Sequence, residues 1–371
     1  MNPPRESIGG GSLTIPRDTA SSRPPDFLVV ILDSARSADF PGGTSPLTPM
    51  PFAEGLLRES LSFPRAVAPA PWTIPSHASL FTGLYPWEHG THLRRSLRLD
   101  PSIPTLAQLL GEHGYATFAA SSNGFLSPEF GLLHGFSAAA WGEWWERFLH
   151  LPGSQFPPRG FNCGPTMKLP ESRYWKMLET PGRYANRRPA MLDVLNRVAS
   201  GLRDPGAETY SPFIASWIEP VVERWLKAQP AERPVFCFVN YYEAHEPYII
   251  SPSQVEGGMT WRDLLRLRMD RTNMLAGRWS PTPREFADLR RLYRAVVRAL
   301  DARLARLADV FRAAGRWDNT VVVLSSDHGQ AFGEHGYLFH GSQLWEPVVR
   351  VPLWLRLPDG RHRGEQATGW A

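Results

Sequence analysis

The sequence predicts an α/β fold with a mostly parallel central sheet covered by helices on both faces, and three observations carry that prediction. Five short runs rich in β-branched and aromatic residues are almost continuously apolar: DFLVVILDSA (26–35), YATFAASSN (115–123), PVFCFVNYY (234–242), NTVVVLSSD (319–327) and VPLWLRL (351–357). Strands that alternate apolar and polar have one wet face, whereas continuous runs belong to strands buried on both. Between the runs lie segments with apolar residues three and four apart, the helical period. A chain of 371 residues that is 42% hydrophobic is also long enough to bury a large core.

In chain order, residues 1–25 are polar and rich in Gly, Pro and Ser, so they predict a disordered tail, with the folded domain spanning 26–371. The tail lacks the apolar stretch of a signal peptide and no later run reaches membrane-spanning length; a soluble, cytoplasmic protein with no membrane span is the expectation. Helices are predicted over 50–60, 76–84, 103–113 and 284–314, the last a long Arg/Leu/Ala stretch. The segment 141–231 breaks the alternation. It is dense in Pro, Gly and Trp (Trp141, Trp144, Trp145, Trp175, Trp217, Trp225) without a clear period, and predicts an insertion that forms a lid or pocket wall.

Charge and cysteine content narrow the function classes. The net charge is +4, and of 40 basic residues only Lys168, Lys176 and Lys227 are lysines. No basic block is interleaved with aromatics, so a nucleic-acid partner is not expected. Two cysteines, Cys163 and Cys237, make no disulfide framework, and Cys237 in VFCFV reads as a small buried hydrophobe.

The chemistry concentrates at strand ends and one helix start. In APAPWTIPSHASLF, Thr73 stands two residues before Pro75, which suits a first helical turn, and His77 follows one turn on. Alone, such a hydroxyl is a helix cap. Its company changes the reading: Asp33 ends the first strand, His245 follows the third, and Asp327 with His328 ends the fourth. Ligands of open α/β sheets bind beyond the carboxyl ends of the strands. Two carboxylates, an imidazole and the Thr73 hydroxyl make a four-group shell for one divalent ion. The imidazole favours zinc or manganese, with magnesium or calcium as alternatives. Such an ion would acidify the Thr73 hydroxyl into a nucleophile.

The segments DFLVVILDSAR, PWTIPSHASLFTGLYPWEHG, NYYEAHEPY, SSDHGQAFGEHG and HGSQLWEPVVRVPLWLRLP, in that order across about 26–358, resemble the sulfatase-like branch of the alkaline phosphatase superfamily. The resemblance implies a three-layer sandwich, Asp33, Asp327 and His328 as metal ligands, and Thr73 in the nucleophile position. It implies that His245 and His340 line the pocket, contact the ester or protonate the leaving group, or hold a second ion. One ion is expected, since no Asp lies three residues before a His near His245.

The sequence departs from true sulfatases in ways that bear on the reaction. They carry Cys or Ser, oxidised to formylglycine, where Thr73 stands, and an Arg where His77 stands. They also pair two aspartates after the first strand and Asp with Asn late in the chain, against Asp33–Ser34 and Asp327–His328 here. These departures match the phosphoryl-transferring relatives. The expectation is a metal-dependent hydrolase of phosphate mono- or diesters working through a covalent Thr73 intermediate, with a small-molecule, lipid or sugar ester as substrate. Alternatives are a sulfuric ester hydrolase, a phospho-group transferase and an inactive scaffold. His77 is a candidate contact to the transferred group; Arg36 is expected to brace Asp33, Asn123 to reach the pocket and His335 to shape a loop. The sequence ends at DGRHRGEQATGWA, where relatives continue, so most of a small C-terminal subdomain is expected to be missing.

Overall fold

Nine strands and nine helices can be traced in the computed structural model, which describes residues 23–141 and 217–369 apart from 247, 249, 251, 268 and 270. The tail 1–22 and most of the expected insertion, with Trp144, Trp145, Trp175 and Cys163, lie outside the described residues. The strands are β1 (Asp26–Leu32), β2 (Leu61–Ser62), β3 (Ala116–Ser121), β4 (Ala138–Trp141), β5 (Val235–Tyr241), β6 (Thr320–Ser325), β7 (Ala331–Phe332), β8 (Leu338–Phe339) and β9 (Leu353–Arg356). Seven form one sheet in the order β2-β9-β6-β1-β5-β3-β4, and β7 pairs with β8 in a small hairpin. From β6 to β4 the strands run parallel, while β9 and β2 pair antiparallel at one edge. The predicted mostly parallel sheet is therefore present, and all five predicted strands are in it.

The helices are α1 (Pro51–Arg58), α2 (Thr73–Thr82), α3 (Pro86–His89), α4 (Leu106–Glu112), α5 (Ile218–Lys227), α6 (Trp261–Arg266), α7 (Arg271–Leu275), α8 (Pro283–Ala313) and α9 (Glu346–Val349). Alternation along β1 shows how they cover the sheet. Leu28, Val30 and Leu32 enter the larger core with residues of α1, α5 and α8, and Val29 and Ile31 enter the second core with Ile74, Ala78 and Phe81 of α2 and Ala107 of α4. Because successive side chains of a strand point to opposite faces, a continuous apolar run serves both layers at once. The 31-residue α8 begins with a complete capping box, Thr282 against Glu285.

The expected insertion is too long at its C-terminal end. Within it, α5 packs into the larger core, Trp217 and Trp225 are both buried, and Trp225 stacks on Phe118 of β3 with ring centroids 4.8 Å apart. These tryptophans are core residues and not a pocket wall. Trp141 ends β4, a strand the sequence reading missed because AAAW carries no β-branched residue. Among the described residues no helix is long and apolar enough to cross a membrane.

At the amino edge of the sheet, fully buried Asp26 fastens three segments. It accepts from Val235 N of β5 at 2.8 Å, from Arg23 at 2.7 and 2.8 Å, and from buried Arg316 at 3.3 Å. Removing one partner of such a group leaves the other's charge buried and unmet. Asp26→Ala is expected to cost about 3–5 kcal/mol, measured as a lower urea midpoint. Asp26 lies at the far end of β1 from the candidate site, so the folded fraction should keep wild-type metal affinity.

Candidate active site

The site lies at the carboxyl edge, where β1 and β6 are neighbours. Their register sets Ile31 beside Ser325, and two residues further on Asp33 and Asp327 emerge together. Asp33 still belongs to the ladder, its N–H bonded to Tyr241 O at 2.9 Å. Asp327 is fixed through Oδ1, which accepts from Ser34 N at 3.2 Å and His328 N at 2.9 Å. His328 donates from Nδ1 to Gly329 O at 3.0 Å, so its Nε2 lone pair faces the carboxylates, 3.4 Å from Asp327 Oδ2 and 3.8 Å from Asp33 Oδ1.

Thr73 opens α2 directly above this group and is 2% exposed. The N-cap position belongs to the preceding Trp72, which is extended and makes no side-chain cap, while the Thr73 hydroxyl faces Asn123. Ser76, one turn on, donates to Asp327 O at 2.6 Å and fastens the helix to the end of β6. Asn123, just past β3, donates from Nδ2 to Asp33 Oδ2 at 2.5 Å and to Thr73 Oγ1 at 3.4 Å, as expected of a pocket residue.

The residues present fit a divalent cation. Ligand atoms of Asp33, Asp327 and His328 all lie within 4.8 Å of one another. Buried Asp327 Oδ2 and His328 Nε2 complete no hydrogen bond of normal geometry, which is how ligand atoms aimed at a shared ion appear. Burial, and then the Asp327 charge, push the Asp33 carboxyl up to about 6; burial pushes Asp327 up to about 7 despite the N–H groups bonded to it. Two acids raised by burial beside each other suit a cation shared between them.

His245 and His340 also come to this edge. The His328 and His340 rings are 4.2 Å apart, and His340 and His245 4.8 Å. His340 donates from Nδ1 to Gln330 Oε1 at 2.6 Å, and burial holds its cationic form well below the usual range. His245 donates from Nδ1 to Glu246 O at 2.6 Å, which leaves its Nε2 as the working atom. With Glu246 these two histidines form a second trio within 4.8 Å; the sequence reading offered the two histidines as holders of a second ion but did not include Glu246. Its positive partner is already present: Arg271 Nη2 lies 3.0 Å from Glu246 Oε1.

Two expectations change. Arg36 does not brace Asp33; it pairs with Glu334 at 2.8 Å and approaches Asp39 at 3.7 Å. Ser34 between them has φ +61, a left-handed turn that swings the chain away, where Tyr293 OH accepts from Arg36 N at 2.8 Å. His77 is fully buried beneath Thr73, donates from Nδ1 to Thr73 O at 2.9 Å and packs on Phe81 and Phe238. Burial lowers its pKa to about 3, so it is a neutral support. His335 has φ +55 and lies against Trp345, as a loop-shaping residue should. Glu246, Arg271 and Gln330 were missed. Glu246 adjoins His245 and Gln330 follows His328 by two, so both were open to a reading of the flanks, whereas Arg271 carried no signal.

An α/β sandwich that gathers a helix-start hydroxyl, two carboxylates and a histidine at its carboxyl edge defines the alkaline-phosphatase-like class of hydrolase folds. Within that class the chain belongs to the sulfatase family, whose Sulfatase profile matches residues 25–369. It is 25% identical over 338 residues to the ulvan-active sulfatase of Formosa agariphila, covering 90% of this chain and 56% of that protein. It is 23% identical over 354 residues to the choline-sulfatase of Rhizobium meliloti, covering 90% and 63%. Among solved structures, the phosphonate monoester hydrolase of Agrobacterium radiobacter superposes with a TM-score of 0.61 at 20% identity, over 92% of this chain and 70% of that one. The chain thus spans between half and two thirds of the two curated relatives' length. Family members bind a divalent metal, in keeping with the Asp33–Asp327–His328 group.

The raised carboxyls give a pH test. Their folded pKa values of about 6 and 7 exceed the unfolded value of about 3.9, so the metal-free protein binds extra protons when folded. Their contribution to stability is full below about pH 4 and is lost as pH rises through about 6 to 7. Thermal scans of chelator-treated protein should show this decline, and added zinc or manganese should raise the melting temperature most above about pH 7.

Proposed function

We propose that the protein is a metal-dependent ester hydrolase in which Thr73 is the nucleophile and a phosphoryl group is transferred. The observation that supports this most is the position of the Thr73 hydroxyl, 3.4 Å from the Asn123 amide that also holds Asp33 and beside Asp327. A divalent ion held by Asp33, Asp327 and His328 supplies, when bound, the charge that acidifies a nearby hydroxyl and offsets the ester oxygens. Thr73 and Ile74, as the first residues of α2, have N–H groups without intrahelical partners, and these favour an anion at the same point.

The side chains then divide two steps. Thr73 Oγ1 attacks phosphorus and loses its proton to solvent, the bond from phosphorus to the leaving oxygen breaks, and a phosphothreonine forms. His245 Nε2, as imidazolium, gives its proton to the departing oxygen. The neutral imidazole next takes a proton from a water whose oxygen bonds to phosphorus; the bond from phosphorus to Thr73 Oγ1 breaks, and Oγ1 recovers from solvent the proton it lost, which returns Thr73 and releases phosphate. Its tethered Nδ1 and partial exposure suit this exchange. Threonine favours phosphorus for a chemical reason: oxidation of its secondary alcohol gives a ketone, so it cannot supply the formylglycine aldehyde on which sulfatases rely.

A second reading, sulfuric ester hydrolysis, is favoured by the names of the curated relatives, both sulfatases. The two readings separate in one assay. Aryl phosphate, diaryl phosphate and aryl sulfate, compared side by side, should show the sulfate as the poorest substrate. Thr73→Ala should lower kcat by about 10³- to 10⁵-fold, with metal binding largely kept because the three other ligands remain. Acid-quenched wild-type protein should carry the phosphoryl adduct on the peptide containing Thr73. Preference for aryl sulfate would establish the second reading instead.

A further inference from the structure

The reaction as derived leaves one ion pair unused, and it sits at the pocket. Arg271 opens α7, and its Nη2 reaches Glu246 Oε1 at 3.0 Å and His340 Nε2 at 3.4 Å. Its guanidinium lies 5.1 Å over the Phe339 ring. A Cβ at Gly341 would stand 3.8 Å from Trp72 Cβ and 3.9 Å from Arg271 Nη1, so Gly341 is flanked by the guanidinium and by the residue that precedes Thr73. From the metal ligands outward the order is His328, His340, Arg271. The Arg271 side chain is 41% exposed and its partner Glu246 14%. Glu246 is held from below, accepting from Gln330 Nε2 at 3.2 Å. The arginine can therefore leave while the carboxylate stays.

We propose that Arg271 and Glu246 form a charge filter, in which Arg271 exchanges Glu246 for an anionic oxygen of the transferred group and Glu246 rejects a second negative charge there. The inference rests on Thr73 as the nucleophile of the same site. One divalent ion would balance Asp33 and Asp327, and buried His77, His328 and His340 add no fixed charge, so Arg271 and Glu246, with His245 beside them, set the balance at the rim. Burial would raise the Glu246 carboxyl, but His245 and Arg271 beside it hold it below its usual range. A singly charged ester (a phosphodiester, a phosphonate monoester or a sulfate monoester) meets Arg271 alone. A phosphate monoester is doubly charged above its second pKa of about 6, and its extra charge faces the Glu246 carboxylate that Arg271 has left.

The test uses metal-loaded full-length protein at about pH 8, where phosphate monoesters are dianions. Wild type should favour bis(4-nitrophenyl) phosphate over 4-nitrophenyl phosphate by about 10-fold or more in kcat/KM. Arg271→Ala should raise KM for the diester by about 10- to 100-fold, the worth of a hydrogen bond to a charged group, with partial rescue by added guanidinium chloride. Glu246→Gln should move the diester-to-monoester ratio toward the monoester by about 10-fold. A pair that is only structural would change both substrates by one common factor and show no rescue. Calorimetric binding of methyl sulfate to Thr73→Ala protein, weakened when Arg271→Ala is added, reads the contact without turnover. Should Arg271→Ala misfold by circular dichroism, Arg271→Lys keeps the charge without the fork; it should keep the substrate ratio while raising KM. An unmoved ratio in Glu246→Gln, or unchanged KM in Arg271→Ala, overturns the filter while Thr73→Ala remains inactive. Full activity in Thr73→Ala overturns the nucleophile reading beneath it.

Discussion

Two buried carboxylates side by side are the constraint on which this structure turns. Asp33 is wholly buried and Asp327 nearly so, and each raises the cost of ionising the other. A protein gains nothing in stability from such a pair alone, because desolvation and like-charge repulsion act in the same direction. The pair becomes favourable only with a cation between the two groups. The surrounding hydrogen bonds lock the carboxylates in place without neutralising them: Ser34 N and His328 N on Asp327, Asn123 on Asp33. The fold holds an electrostatic deficit in a fixed shape, and this is the preorganisation that ion binding and charge stabilisation in a reaction both need.

Parallel pairing is what lets a chain build that deficit from distant residues. β1 and β6 lie nearly 300 residues apart in sequence, yet as parallel neighbours they end on the same edge in the same register. β5 and β3 add Glu243 to Glu246 and Ser122–Asn123 at the same edge, again by parallel pairing with β1 and with each other. Tyr293 of α8 then clamps the turn after β1 from the helical layer, bonded to Ser34 O and Arg36 N. An antiparallel arrangement would send alternate strand ends to opposite edges, and the group would not form.

The sequence revealed those parts whose placement follows from strand periodicity, and hid those placed by loops. Asp33, Asp327 and His328 sit where continuous apolar runs stop, and Asn123 where another does, so their convergence followed from the parallel sheet alone. Arg36 was misread because its direction depends on a single left-handed residue, Ser34, that nothing in its identity announces. The core role of 217–231 was hidden by composition: Trp, Pro and Glu in SWIEPVVERWLK look irregular, although Val221, Val222, Trp225 and Leu226 form one buried helix face. Arg271 belongs to a five-residue helix in a region without clear periodicity, and only folding brings it to His340. The inner site was therefore legible and its rim was not.

This division has a chemical counterpart. The inner group consists of residues whose charges are dictated by one ion, and burial keeps its histidines neutral: His77 under Thr73, His328 against the carboxylates, His340 against Gln330. A centre of that kind offers one fixed positive charge to any anionic group, and so by itself distinguishes poorly between one substituent and two on the same central atom. Discrimination must come from groups that are charged, partly exposed and able to change partners. Of the side chains traced around the site, Arg271 and Glu246 meet all three conditions, held by a short helix and the segment after β5, away from the layered core. A chain of this kind can alter what it accepts through changes at α7 and the β5 segment without disturbing Asp33, Thr73, Asp327 or His328. Resemblance concentrated at the strand ends therefore identifies the family and its metal group, whereas the substrate has to be read from the rim.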